Sequence, residues 1–267
     1  AASLLKRQKK TTVPVVGVIT DFAIHSLWIY PQIDKYFVAA PHLKDLLVDQ
    51  GVADHKVFVS GIPVRTAFTE EHWSVKAAEA DHRNVLLMGG GLGMGSIKDS
   101  LLLLDRLDCI DSFSVVTGHN ADLFDDLSQL QKDLKHDVKI FGYTNQVAAL
   151  MAQASLLVTK PGALTCTEAA AVGVPSVFYS PIPGQEEANA SYMQEKGCAR
   201  WVKSQNRLVE AVADLLQHTE RLGHMSQACR FCRRDGAEVV SRGVLQMLEE
   251  RKQKIYYPSG MTPESIS

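Results

Sequence analysis

Short apolar runs alternate along this chain with stretches whose apolar residues recur at helical spacing. Val13 to Thr20, Tyr36 to Ala40 and Val57 to Ser60 read as strands, with a helix through His42 to Gln50 between the last two. A polar, charge-rich stretch from Thr69 to Arg83 interrupts the pattern. A fresh alternation follows: strand Val85 to Met88, helix from Ser96, strand Ser114 to Thr117, helix around Leu123 to Leu134, strand Lys139 to Phe141 and helix Gln146 to Gln153. Two more strands, Ala154 to Thr159 and Ser176 to Tyr179, complete it. Strands alternating with helices predict parallel sheets, and the second part is a doubly wound α/β domain by itself. We divide the chain into a partial N-terminal domain over 1–68, a linker over 69–83, a C-terminal domain over 84–245 and a tail over 246–267. The first part is short for an independent parallel-sheet domain, which needs layers on both faces.

Composition narrows the class without choosing within it. With 267 residues and 46% hydrophobic content, the chain can bury a substantial core. A formal net charge of -2 argues against nucleic acid held by bulk electrostatics. No apolar run approaches the roughly 20 residues that a membrane-spanning helix needs. The basic group Lys6, Arg7, Lys9 and Lys10 precedes no apolar region of signal length. We therefore expect a cytoplasmic protein, peripheral on a membrane surface. Five scattered cysteines make no disulfide framework, and Cys229-x-x-Cys232 has no second pair to complete a zinc site. No metal is expected.

The densest chemistry lies in Lys160-Pro161-Gly162-Ala163-Leu164-Thr165-Cys166-Thr167-Glu168. It follows a buried strand, so a helix is predicted to start just after Gly162. Its unpaired N–H groups and dipole would face an anion at the strand's carboxyl end. Thr165 and Glu168 also have capping-box spacing, and Glu168 serving its own helix is the alternative. The next strand ends in a loop, Pro181-Ile182-Pro183-Gly184-Gln185-Glu186-Glu187-Ala188-Asn189, crowded with polar side chains. Such crowding at a strand end suggests a ligand. Gly89-Gly90-Gly91-Leu92-Gly93-Met94-Gly95 likewise links a strand to a helix, which suits either phosphate binding or a tight turn. Asp21, His25 and Trp28 fall at i, i+4 and i+7, one face of a helical turn.

Together these motifs resemble the glycosyltransferase family 28 group that includes monogalactosyldiacylglycerol synthases and processive diacylglycerol glucosyltransferases. The likeness runs from about Val13 to about Leu245 in the family's order. It implies two Rossmann-like domains facing a cleft, the GT-B arrangement, with the N-terminal domain incomplete here because the family's earlier portion is not matched. It also implies an inverting hexosyltransferase that uses a UDP-sugar donor, a diacylglycerol acceptor and no further cofactor. By the same resemblance Glu168 binds the ribose hydroxyls, while Gly162, Ala163, Leu164 and Thr165 present the diphosphate contacts. Gln185 and Glu186 bond the hexose and Asn189 shapes their loop. Tyr143 and Thr144 meet the uracil, His119 contacts the donor, and Gly91 and Gly93 belong to the glycine-rich loop of the cleft.

Arg65, in Gly61-Ile62-Pro63-Val64-Arg65, would approach the diphosphate, a solvated linker arginine being the alternative. Inverting transfer needs a base for the acceptor hydroxyl. The family's presumed base precedes the matched segment, which leaves His25 as the histidine candidate, with Asp21 and Trp28 beside it. Two other activities stay open. One is N-acetylglucosaminyl transfer to a lipid-linked peptidoglycan precursor, disfavoured by Glu186 in place of a second glutamine and by the Asp21 to Trp28 segment, which resembles the glycerolipid branch. The other is a non-catalytic UDP-sugar-binding module of a truncated or split enzyme.

Overall fold

The computed structural model describes residues 2–69, 82–89, 97–232 and 235–256. The chain divides into two compact units, Ala1–Thr20, Ile24–Pro63 and Arg234–Ser267 in one, and Asp21–Ala23 with Val64–Arg233 in the other.

The first unit begins with α1 (Ala2–Arg7) and β1 (Val16–Val18), continues through β2 (Lys35–Val38), α2 (Pro41–Asp49) and β3 (Val57–Val59), and gains a helix from the chain's end. Its described strands form a parallel sheet in the order β1-β2-β3. Leu43 and Leu47 of α2, one helical turn apart, are buried with Ile19, Ile33, Tyr36, Val38 and Val57. The Tyr36 hydroxyl accepts from the backbone N–H of Tyr30 at 2.8 Å, fixing the turn ahead of β2.

The second unit holds β4 (Asn84–Met88), α3 (Ile97–Leu104), β5 (Ser112–Gly118), α4 (Ala121–Leu130), β6 (Asp137–Gly142), α5 (Val147–Gln153) and β7 (Leu156–Thr159). It continues with α6 (Ala163–Val172), β8 (Ser176–Phe178), α7 (Gln185–Glu195), β9 (Ala199–Trp201), α8 (Gln205–Gln217) and α9 (Thr219–Ala228). Its described strands make a parallel sheet in the order β6-β5-β4-β7-β8-β9. Both faces are buried: Val85 and Leu87 of β4 join one core cluster, Leu86 and Met88 the other. That continuous apolar run is what a parallel sheet covered on both sides requires. The strand order reverses between β4 and β7. Loops after these two strands therefore flank the crevice in which doubly wound folds bind ligands.

Three expectations change. Residues 185–195 are helix α7, not loop, because the turn ends at Gly184, whose φ of 93° glycine alone adopts easily. Asp21 to Trp28 is no continuous helical face: the 3-10 turn covers Ser26–Trp28 alone, and His25 is its extended N-cap. The predicted tail begins inside α10 (Gly236–Tyr256), which groups with the first unit although the sequence division carried the C-terminal domain to 245. Gly236 and Gly243, two turns apart, explain that placement. A Cβ at Gly236 would lie 3.1 Å from the Ile62 carbonyl oxygen, and one at Gly243 would lie 2.6 Å from the Phe37 ring. Gly91, Gly93 and most of the 69–83 linker lie outside the described residues.

Candidate functional site

The site residues of the second unit gather at the carboxyl ends of its strands. Beyond β7, Gly162 is the N-cap of α6 in an extended conformation, and no side chain caps the helix. Ala163, Leu164 and Thr165 form its first turn, where backbone N–H groups have no intrahelical acceptor. This numbering removes the capping-box alternative: Thr165 is the third helical residue, not the cap, and Glu168 lies three further along.

Glu168 instead pairs with Arg65. Its Oε1 lies 3.6 Å from the guanidinium, and its side chain is 18% exposed against 56% for Arg65. The arginine lies over the ring of the buried Phe68, 5.0 Å from the centroid. Burial pushes the Glu168 carboxyl above the ordinary glutamate range, and the arginine opposes that shift. Arg65, for which the sequence left open an approach to the diphosphate or a solvated linker position, is thus paired with a carboxylate.

At the next corner, α7 begins with Gln185, which is exposed. Glu186 accepts from the Ile182 N–H at 2.7 Å and Glu187 from the Gly184 N–H at 3.1 Å, so the acids tie down the turn that precedes them. One oxygen of Glu186 is consequently committed to backbone. Asn189 is buried, and its amide is fully occupied. It accepts from the Phe22 N–H at 2.9 Å and donates to the Asp21 carboxylate and the Pro161 carbonyl, each at 3.2 Å. Pro161 immediately precedes the α6 cap, so Asn189 braces the start of α6 and the Asp21–Ala23 segment together. The Phe22 ring reinforces this by stacking on Tyr192 with centroids 4.4 Å apart. Sequence reasoning missed Tyr192, whose signal was its place one helical turn beyond Asn189.

Across the sheet, β5 and β6 are followed directly by His119 and Tyr143, whose rings stack at 4.2 Å with 16° between planes. Tyr143 is 64% exposed, so one face of its ring is covered by imidazole and the pair stands free of the core. Asn120 caps α4 by accepting from the Leu123 N–H at 3.0 Å, and the Thr144 hydroxyl accepts from the Gln146 N–H at 3.1 Å. Thr144 is therefore placed by its own turn.

His25 lies in the first unit. Its Nδ1 accepts from the Leu27 N–H at 3.2 Å, and its ring stands 6.2 Å from that of Trp28. The cap bond places the proton of the neutral ring on Nε2, which leaves no free lone pair there to take a proton. Among the described residues no cluster of side chains suits a metal ion. Cys229 is buried with its thiol on the Met225 carbonyl, and the Cys232 thiol meets the Thr167 carbonyl at 3.6 Å.

A parallel, doubly wound unit with an uncapped helix at its reversal point defines a Rossmann-like class of fold. Comparison with known proteins makes the assignment particular. The glycosyltransferase family 28 C-terminal domain matches residues 84–240, and the monogalactosyldiacylglycerol (MGDG) synthase family matches residues 1–64. The chain belongs to glycosyltransferase family 28. Processive diacylglycerol beta-glucosyltransferase from Bacillus cereus is 35% identical over 235 residues, 85% of this chain and 60% of that protein. The enzyme of the same name from Bacillus mycoides is 34% identical over the same shares. The chain thus spans about 60% of the length of these curated relatives. Among solved structures, Acinetobacter baumannii MurG shares the fold with a TM-score of 0.69 and 20% identity, over 91% of this chain and 69% of that one. UDP-GlcNAc 2-epimerase from Neisseria meningitidis bound to UDP-GlcNAc does so at 0.66 and 18%, over 92% and 72%.

Proposed function

We propose that the protein to which this chain belongs is an inverting hexosyltransferase that moves glucose or galactose from a UDP-sugar to diacylglycerol, working as a peripheral protein on the cytoplasmic membrane face. The observation that carries this reading is the α6 corner: an N-terminus without a side-chain cap, followed on the same helix by the half-buried Glu168. The processive diacylglycerol glucosyltransferases at 35% identity support the acceptor. Among the described residues no helix is long and apolar enough to cross a membrane.

In the reaction an acceptor hydroxyl attacks the anomeric carbon, and the bond from that carbon to the diphosphate oxygen breaks. Negative charge then gathers on the departing nucleotide, where the α6 amides and dipole favour it. Glu168 accepts from the ribose hydroxyls, since a carboxylate offers both oxygens to two vicinal O–H groups. Gln185, exposed at the start of α7, is free to meet the hexose. The acceptor's proton needs a base, and His25 can serve only if its bond to Leu27 opens.

Calorimetric titration of the chain with UDP tests the donor site. Glu168→Ala removes a charge-assisted hydrogen bond worth about 1.5 to 3 kcal/mol, so affinity should fall roughly ten- to a hundredfold. Unchanged affinity would sink the ribose assignment. UDP-glucose and UDP-galactose competing with UDP, where UDP-N-acetylglucosamine does not, would separate this activity from the peptidoglycan alternative.

A further inference from the structure

Arg65 is held from several sides before any ligand arrives. Its carbonyl accepts from the Phe68 N–H at 2.9 Å, closing the 3-10 turn Thr66–Phe68 that it caps. Its guanidinium folds back over the Phe68 ring at 5.0 Å, and that ring is 1% exposed. Its terminal nitrogen reaches Glu168 at 3.6 Å. Neither long side chain is therefore free to choose its direction. The arginine spans from its own turn to the second turn of α6.

Among the described residues the surroundings give Glu168 one counter-charge. The described elements packed most extensively against α6 are α5, α7, the Thr66–Phe68 turn and the 3-10 turn Cys229–Phe231. Helix α5 carries no charged side chain. Helix α7 brings Glu186, Glu187 and Glu195, of which the first two are bound to backbone N–H groups at their own helix start. The Cys229–Phe231 turn brings Arg230, which forms no ion pair with Glu168. Among the described residues Arg65 is the group that pairs with this carboxylate.

We propose that Arg65 is a positioning residue for Glu168: it aims the carboxylate that receives the ribose hydroxyls and does not itself contact the diphosphate. The inference rests on the nucleotide reading of the α6 corner. A carboxylate paired with an arginine on one side is held in one orientation, and each of its oxygens keeps a lone pair to accept a hydroxyl, which saves the ordering cost of ligand binding. The arginine also works on the charge. Burial favours the protonated acid at Glu168, and Arg65 acts against burial. Without it burial is unopposed, so the carboxyl takes up a proton at a higher pH, and a binding site that needs the carboxylate fails earlier as pH falls.

Uridine is the probe that isolates this role, because it carries no phosphate and does not ionise between about pH 5 and 8, whereas a terminal phosphate titrates near pH 6. The chain, Arg65→Gln, Arg65→Lys and Glu168→Gln are titrated with uridine and with UDP across that range by NMR and calorimetry. Arg65→Gln should weaken both ligands by a similar factor, about two- to fivefold as for a partly exposed ion pair, and should move the acid limb of uridine binding to higher pH. Arg65→Lys keeps the charge without the planar fork, so it should return the acid limb while recovering only part of the affinity. A loss for UDP with uridine untouched would overturn the proposal and give Arg65 to the diphosphate. Weaker uridine binding with an unmoved acid limb would overturn its role in charge. If Glu168→Gln binds uridine as the parent does, the ribose reading itself falls and takes the inference with it. An unchanged UDP affinity in Arg65→Gln beside a weakened one in Glu168→Gln would leave the ribose reading standing and remove only Arg65.

Discussion

Helices α4 and α6 start at the carboxyl ends of strands in one sheet, yet they treat their first N–H groups in opposite ways. At α4 the Asn120 side chain accepts from Leu123, so one orphan donor is satisfied internally. At α6 the cap is Gly162, which has no side chain to offer, and the first turn stays uncommitted. The capped corner is self-contained and serves the fold. The uncapped corner leaves stability unclaimed, and the neighbouring structure compensates by bracing it: Asn189 binds the Pro161 carbonyl just ahead of the cap. A corner kept open and rigid is what an anion site needs.

The largest effect should come from closing that open corner. Gly162 has φ of -63°, and a Cβ added there meets nothing within 4 Å, so a side chain fits without strain. Gly162→Asp would supply the missing cap together with a negative charge. Stability should change by only a few tenths of a kcal/mol, the usual difference between glycine and a good cap. UDP affinity should fall by about a hundredfold or more, because a carboxylate would compete for the same amides and repel the diphosphate. A variant that melts normally and binds UDP as tightly as the parent would break the comparison.

The converse change belongs at α4. Asn120→Ala removes a cap, so stability should drop by about 1 kcal/mol, read as a lower melting temperature. UDP affinity should move by less than about threefold, which is under 0.7 kcal/mol. Should binding collapse while stability holds, α4 would be the anion corner and the roles of the two helices would be exchanged.

The same contrast explains what was legible in the sequence. The start of α6 was readable because Gly162 follows an apolar strand, and the structure opens the helix at Ala163. The role of Glu168 was harder, since its distance from Thr165 imitates a capping box and only the true cap at Gly162 removes that option. Helix α7 was misread as loop because Pro181-Ile182-Pro183-Gly184 signals a turn and the polar residues that follow show little apolar periodicity. Its buried side, Asn189, Ala190 and Met193, is mostly small or polar. The Asp21 to Trp28 spacing suggested a helical face, but His25 is spent on a local cap to Leu27 and Asp21 is drawn to Asn189, a partner so distant in sequence that spacing carries no record of it. The grouping of helix α10 with the first unit was not legible for a related reason: the close approach of Gly236 to the Ile62 carbonyl and of Gly243 to the Phe37 ring joins segments far apart in the chain.

The smallest expected effect is also the one that most sharpens the contrast between the corners. If the α6 amides and dipole supply the positive potential for a diphosphate, the site needs no divalent cation to do so. Chelator added to a UDP titration should therefore leave the affinity unchanged within error. The carboxylates nearest this corner are already engaged: Glu168 with Arg65, Asp21 with Asn189, Glu186 and Glu187 with backbone N–H groups. A hard cation prefers several oxygen ligands at once, and drawing these acids together would cost the contacts that brace the corner. Complete loss of UDP binding in chelator, restored by magnesium or manganese, would mean that a bridging ion and not the helix end holds the diphosphate. The open start of α6 would then need another explanation, and Gly162→Asp would be expected to tighten binding by adding a ligand for that ion.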